Sequence, residues 1–490
     1  MNPTNLSALT NAKPPSAALR RLTLAWFAIM FLLFPILVLL GLVMRAGQSN
    51  WLHKLSPEYF YAVMTLHGLG MVGLWFVAAM AVLNYVLTRY VSVSLWASRL
   101  AMALTVLGVG LLIACTLVGK FGAGWYFLYP LPLHPGGAWP AWSIGAFFAA
   151  IGVLGVGWLV WVLDLMRAVS RRYSLTASLG WHYLRGRTEP EVPPVIIITT
   201  VTVIALLAAL ISAVIVLVLF LMEWLKPGFT NDALLMKNLT FFFGHLLVNL
   251  TLYLGVAVLY ELMPAYCGRP WKTTRYVALA WNAVLLLVIL AFMHHLYMDF
   301  VQLHAFQVIG QISSYLTSVP AAVVTILGLL ALVYGAKVRW TLASLLLFLG
   351  VVGWVIGGIG AVIDSTIVAN LRYHNTLWVP AHFHTYYLMG VVLMLMGAVF
   401  HVCQELAPLP ENPGRTRLTI VSLCLGGYGF LMTFYYAGAH SVPRRYSSYP
   451  ELLSKGVTAA QVSTFFIVLF LAGLVLYLWE TGKRWRNSSN

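Results

Sequence analysis

Apolar residues in this chain gather into long unbroken runs separated by short polar stretches. Runs of that length exceed the strands and half-buried helices of a water-soluble fold. A helix that crosses the hydrocarbon core of a bilayer needs about 20 apolar residues. The pattern predicts about twelve such helices, over residues 22–45, 58–87, 98–118, 140–163, 196–225, 236–263, 274–297, 304–334, 340–365, 375–403, 416–438 and 460–481. The expected fold is an all-α membrane protein. A single 12-helix domain spans 22–482, between a segment over 1–21 and a tail over 483–490. Little is left for a separate soluble domain.

Composition agrees: 61% of residues are hydrophobic and 9% are charged, too few charges to clothe a soluble surface. A net charge of +16 raises the question of nucleic acid. The distribution of that charge answers it. With the N-terminus placed inside, 20 of the 29 Lys and Arg fall on inner segments and 9 on outer ones. That is the positive-inside bias of a membrane protein. We therefore expect both termini on the cytoplasmic side of a prokaryotic inner membrane, lipid as the surroundings, and no nucleic acid. The Arg-rich loop over 164–195 is expected to lie on anionic headgroups. The first residues lack the pattern of a cleavable signal. Cys115, Cys267, Cys403 and Cys424 are scattered, with no C-x-x-C-H motif and no paired-cysteine copper motif. Electrons are therefore expected from another polypeptide.

A histidine inside a spanning helix is costly and needs a partner. Six of the 13 histidines lie in apolar runs: His67, His245, His294, His295, His382 and His384. His67, His245 and His384 each lie about nine residues, roughly 13 Å, from the outer end of a run. His382 is close to that depth, and His294 and His295 sit just short of an outer end. Four helices thus place imidazoles in one layer, as a metal cluster between helices requires. A core imidazole bonded to a neighbour would account for any one of them, but not readily for six at one height. Imidazole suits haem iron and copper. In the H-x-H pair, residues two apart point about 200° apart, so one helix can hold a haem on each flank. The adjacent pair diverges by about 100° and converges on one metal only if the helix end is distorted. A twelve-helix transporter relaying protons through histidines is the rival class. It predicts helix breaks near the midplane and scattered polar residues, and neither is prominent.

At these residues the chain resembles subunit I of the haem–copper oxidase superfamily, over about 20–480 and closest to the B-type (ba3-like) branch. The matching stretches are TLHGLGM (65–71), GWYFLYPLPL (124–133), FGHLLVN (243–249), HHLYMD (294–299), HNTLWVPAHFH (374–384) and VPRRY (442–446). The resemblance implies that His67 and His384 ligate a low-spin haem, b-type by expectation. It implies that His382 ligates a high-spin haem. His245, His294 and His295 would bind a second metal facing that haem. Arg444 and Arg445 would pair with haem propionates, which suits two adjacent outer arginines that run against the charge bias. His374 and Asp364 lie near the same surface and join either that network or the loop structure. Trp125 and Tyr129 either pack there or anchor the interface. The resemblance also implies a second subunit with a periplasm-facing domain, carrying copper or c-type haem, that receives electrons. Cytochrome c or a cupredoxin would be the donor, with quinol as the alternative.

One departure changes the expected reaction. Oxygen-reducing relatives carry a tyrosine four residues after the first second-metal histidine, or on the seventh helix six residues before the adjacent pair. Here those positions hold Asn249 and Val288. Tyr253 lies about two turns past His245 and projects off the ligand face. Cleaving O2 draws an extra electron from the site, whereas coupling two NO molecules to N2O takes two electrons and two protons. The expected reaction is therefore NO reduction, with O2 reduction as the alternative. Ordinary NO reductases show a glutamate at the Asn249 position that ligates iron. Three imidazoles with no carboxylate suit copper better than iron. Asn249 either hydrogen-bonds a metal-bound group or fills space. Candidate proton-path residues are Tyr260, Glu261, Ser313, Ser314, Tyr315 and Thr317. A further tyrosine of the B-type pattern is replaced by Val256, which argues for weak or absent proton pumping.

Overall fold

The computed structural model describes residues 15–51 and 55–489. Most of the expected N-terminal segment, including Lys13, lies outside the described residues, as does Asn490. Among the described residues, twelve helices are long and apolar enough to cross a membrane. They are α1 (Ala17–Gln48), α2 (Pro57–Leu87), α3 (Leu95–Val118), α4 (Ala141–Ser170), α5 (Pro194–Leu225) and α6 (Ala233–Cys267). They continue as α7 (Arg275–Leu296), α8 (His304–Val333), α9 (Leu342–Ser365), α10 (Trp378–Leu406), α11 (Pro413–Ala439) and α12 (Glu451–Ser488). Each overlaps one apolar run of the sequence.

Several helices reach past their apolar runs because polar side chains cap them. Ser16 accepts from the Leu19 amide at 3.3 Å, and Asp232 accepts from the Leu235 amide at 2.7 Å. Thr341 and Ser344 form a reciprocal capping box at the start of α9. Pro57, Pro194 and Pro413 sit in first turns, where their missing N–H costs nothing.

The most apolar stretch of α10 is 94% buried, against 72% for α6, 67% for α2, 29% for α8 and 28% for α1. So α2, α6 and α10 form the middle of the bundle, and the others shield them from lipid. These three carry His67, His245, His382 and His384. The inward position of α10 has a local cause in α9. A Cβ on Gly350, Gly353, Gly357 or Gly360 would come within 2.0–2.9 Å of Met394, Met389, Tyr386 or His382. Four glycines at spacings of three and four form a groove that seats α10, the close approach small residues allow in membranes.

Two helices leave regular geometry beside the histidines. The end of α7 tightens to a 3-10 turn over Phe292–Leu296. Within α10, Thr385–Val392 widens to a π-helix directly after His384.

Candidate metal centre

His67 and His384 face each other across α2 and α10, with ring centroids 6.4 Å apart and planes 21° from parallel. His67 donates from Nδ1 to the Leu37 carbonyl, and His384 from Nδ1 to the Pro380 carbonyl, both at 2.7 Å. A carbonyl only accepts, so Nδ1 carries the proton and Nε2 keeps its lone pair. Two imidazoles each about 2 Å from one ion would have centroids roughly 6 Å apart. The pair therefore fits a single iron held from both sides. Gly41 makes the space on α1, since a Cβ there would lie 3.0 Å from His67 Cε1. Phe430 and Phe434 of α11 present their edges to His384.

His245, in the first half of α6, comes together with His294 and His295 at the end of α7. One ligand nitrogen from each lies within 4.8 Å of the others. Nδ1 of His245 is 3.3 Å from Nε2 of His295, about the spacing of two ligands on one tetrahedral ion with 2.0–2.1 Å bonds. The 3-10 turn bends the adjacent pair until the His294 and His295 rings are 4.2 Å apart. From α8, the Ser314 hydroxyl donates to the Ala291 carbonyl at 3.3 Å and accepts from Nδ1 of His294 at 2.9 Å. That frees Nε2 of His294, the outer-shell orientation that metal-ligating histidines show. No carboxylate joins the group among the described residues. Three neutral imidazoles fit copper.

His382 projects from the other flank of α10 than His384, its Nδ1 lying against Gly360 of α9. Its ring lies 6.5 Å from that of Tyr386. The H-x-H spacing thus separates the two flanks.

Arg444 and Arg445 lie in the loop after α11. Arg444 donates from its guanidinium to Asn375 Oδ1 at 2.9 Å, and its Nε is buried with no partner. The Arg445 guanidinium lies 4.1 Å over the Tyr126 ring. Arg445 holds the left-handed backbone at φ +67°, and its carbonyl accepts from the Tyr61 hydroxyl. Neither arginine has a carboxylate partner among the described residues. Burial, with Arg445 beside it, pulls Arg444 down to about 10, so it stays charged at neutral pH. Two half-buried cations facing a single nearby acid, Asp364, fit the carboxylates of a haem. His374 is half-buried beside them. Burial and the charges of Arg444, Lys237 and Arg445 lower it to about 4, so it is neutral at pH 7. Asp364 is buried at the C-terminal end of α9.

Trp125 wedges between the histidine helices: a Cβ on Gly68 would lie 2.9 Å from it, and one on Gly244 would lie 3.6 Å away. It stacks on Phe383. Tyr129 points elsewhere, donating to Glu223 at 3.2 Å. The aromatic ring under the arginines is Tyr126, which sequence reasoning missed although it adjoins Trp125 in the same motif.

The proton-path candidates do not form one line. Ser314 alone of the six bonds a histidine of the three-imidazole group. Ser313 and Thr317 donate to main-chain carbonyls of their own helix. Tyr315 pairs with Thr366, and Tyr260 with Thr325 at 3.1 Å. The Glu261 carboxylate is held by Arg89 at 2.9 Å and by the Tyr90 hydroxyl at 3.0 Å. Val288 is fully buried, and Tyr253 packs on Trp281 of α7. Asn249 and Tyr386, by contrast, are joined: the Tyr386 hydroxyl donates to Asn249 Oδ1 at 2.8 Å, and Asn249 Nδ2 is 3.2 Å from Nε2 of His245.

Comparison with known proteins agrees with this layout. The family described as Cytochrome C and Quinol oxidase polypeptide I matches residues 21–475. The chain is 25% identical over 461 residues to "Heme-copper oxidase subunit I+III" of Aeropyrum pernix, covering 89% of this chain and 53% of that protein. It is 26% identical over 279 residues to "Cytochrome c oxidase subunit 1" of Thermus thermophilus, covering 53% of this chain and 49% of that one. The Bacillus subtilis protein of the same name is 24% identical over 448 residues, covering 86% and 67%. The chain thus spans about half the length of the Aeropyrum and Thermus relatives. A solved heme-copper terminal oxidase dimer superposes with a TM-score of 0.78 at 20% identity, covering 96% of this chain and 84% of that one. With the match running over nearly the whole length, the chain belongs to the cytochrome c and quinol oxidase polypeptide I family, the subunit I family of the haem–copper oxidases.

Proposed function

We propose that this chain is the catalytic subunit of a respiratory reductase that converts NO to N2O. The observation that carries the reading is the side chain set against His245. It is the carboxamide of Asn249, 3.2 Å from Nε2, which supplies neither an electron nor a ligating charge.

When bound, a low-spin haem, a high-spin haem and a copper ion supply the electron path and the two reducing equivalents for 2NO + 2e⁻ + 2H⁺ → N2O + H2O. His67 and His384 would hold the first haem, His382 the second, and His245, His294 and His295 the copper. Arg444 and Arg445 would neutralise the propionates and fix both haems in register with the outer surface. Ser314 holds His294 with Nε2 turned toward the group. An apolar cavity of about 620 Å³ is lined by Leu66, Trp125, Phe243, Gly244 and Leu247. Its walls border the residues next to His67 and His245 and suit a small neutral gas drawn from the bilayer. Glu261 is tied to Arg89 and Tyr90, which supports weak or absent pumping from the inner side. By the charge bias, both termini face the cytoplasm of a prokaryotic inner membrane. A second subunit would take electrons from cytochrome c or a cupredoxin, with quinol as the alternative.

A second reading, O2 reduction, is favoured by the names of the Thermus and Bacillus relatives. Turnover of the purified complex with NO and with O2, together with its copper and iron content, separates the two. We expect N2O release, with two haem irons and one copper per chain. O2 consumption without N2O release would move the assignment to the oxidase reading. A colourless preparation would remove both.

A further inference from the structure

Tyr386 stands on α10, at neither of the positions from which a tyrosine is expected to approach this centre. It is buried, two residues past His384 and four past His382. The groove of α9 fixes its main chain, since a Cβ on Gly357 would lie 2.6 Å from Tyr386 Cα. From there the phenol crosses to α6 and donates to Asn249 Oδ1 at 2.8 Å. Asn249 is held at a second point, where Nδ2 donates to the main-chain carbonyl of His245 at 2.8 Å. These two contacts fix the plane of the carboxamide, and the tautomer of His245 sets which of its two ends faces the ring. Against it rests the Nε2 edge of His245, at 3.2 Å, while Nδ1 of the same ring points at His295.

We propose that Tyr386 and Asn249 form a positioning pair that fixes the ring orientation of His245, so that Nδ1 joins His294 and His295 in the metal group. The pair is a brace between α10, which carries both haem-facing histidines, and α6, which carries one ligand of the second metal. The phenol is not a ligand. It acts through Asn249: with Nδ1 on the metal, Nε2 carries the proton, so the carboxamide turns Oδ1 to it and Nδ2 to the Tyr386 hydroxyl, which then accepts, and the Nδ2 contact to the His245 carbonyl is given up. The inference rests on the three-histidine group being a metal site, and not on which gas is reduced there.

The test uses the purified complex, with Tyr386→Phe, Asn249→Leu and the double variant. Carbon monoxide bound to the reduced protein is the probe, because its infrared stretch reports the ligand arrangement of the second metal. Copper per chain at limiting copper is the companion measurement. In each single variant we expect the wild-type band to split or broaden and copper affinity to fall about 10- to 100-fold, as when other outer-shell partners of metal ligands are removed. The double variant should match Asn249→Leu alone, because a relay broken once is not broken further. A wild-type band with wild-type copper affinity in Tyr386→Phe would overturn the proposal, as would additive effects in the double variant. Should Tyr386→Phe fail to take up haem, Asn249→Leu decides alone: an altered band supports the pair and an unaltered one refutes it. A wild-type complex that consumed O2 and made no N2O would defeat the functional reading and leave the band comparison standing.

Discussion

His67, His384 and His294 each commit Nδ1, the first two to main-chain carbonyls and the third to a serine hydroxyl, and keep Nε2 for a metal. The two sets are built on different helices, so they fail separately. His67→Leu should abolish the low-spin haem signature and halve haem content while copper is retained. His294→Leu should do the reverse. Visible spectra and metal analysis of the two variants check this, and joint loss in either would deny two independent sets. The six candidate histidines stand out in the sequence because an imidazole among apolar residues is conspicuous. Tyr386 does not: a tyrosine in an apolar helix is ordinary, and only its reach across to Asn249 marks it. Tyr129 had two readings, packing at the site or anchoring the interface. It sits in a matching motif, yet its hydroxyl is turned to Glu223.

Among the elements, α9 shapes the site without contributing a ligand. Its glycines at 350, 353, 357 and 360 admit α10 to contact distance. Gly357→Val should force α10 outward, cost about 1–3 kcal/mol by overpacking, and lower haem retention on heating. A thermal melt that follows haem release measures this, and an unchanged melt would show that the groove is loose. The apolar runs gave most helix ends to within about five residues, but α4 continues seven residues past its run, and α12 begins nine before and ends seven after its own. The widened turn of α10 left no mark in the sequence, because it is a change of hydrogen-bond phase rather than of composition. The adjacent histidines did imply some distortion, since a regular helix would splay them.

Across the whole molecule, the centre lies at one end and an ionic cluster at the other. Arg89 bridges Glu261 at 2.9 Å and Glu405 at 3.2 Å, and His401 lies between Glu405 and the Tyr266 hydroxyl. These residues tie together the ends of α2, α6 and α10 opposite the halves that carry His67, His245, His382 and His384. We read the cluster as a fastening. Glu261→Gln should lower stability by about 1–3 kcal/mol and leave turnover within about twofold. A collapse of turnover at unchanged stability would place Glu261 on a proton route instead.

The wide turn over Thr385–Val392 divides α10 into a ligand-bearing segment above and a close-packed shaft below. Each residue gained or lost in that turn swivels one part against the other by about 100°. The shaft can therefore stay seated among its neighbours while His382 and His384 are aimed independently, like a dial on a fixed spindle. Indels should thus be far better tolerated in the loops at either end of α10 than at this turn, where a single codon would turn His382 and His384 together.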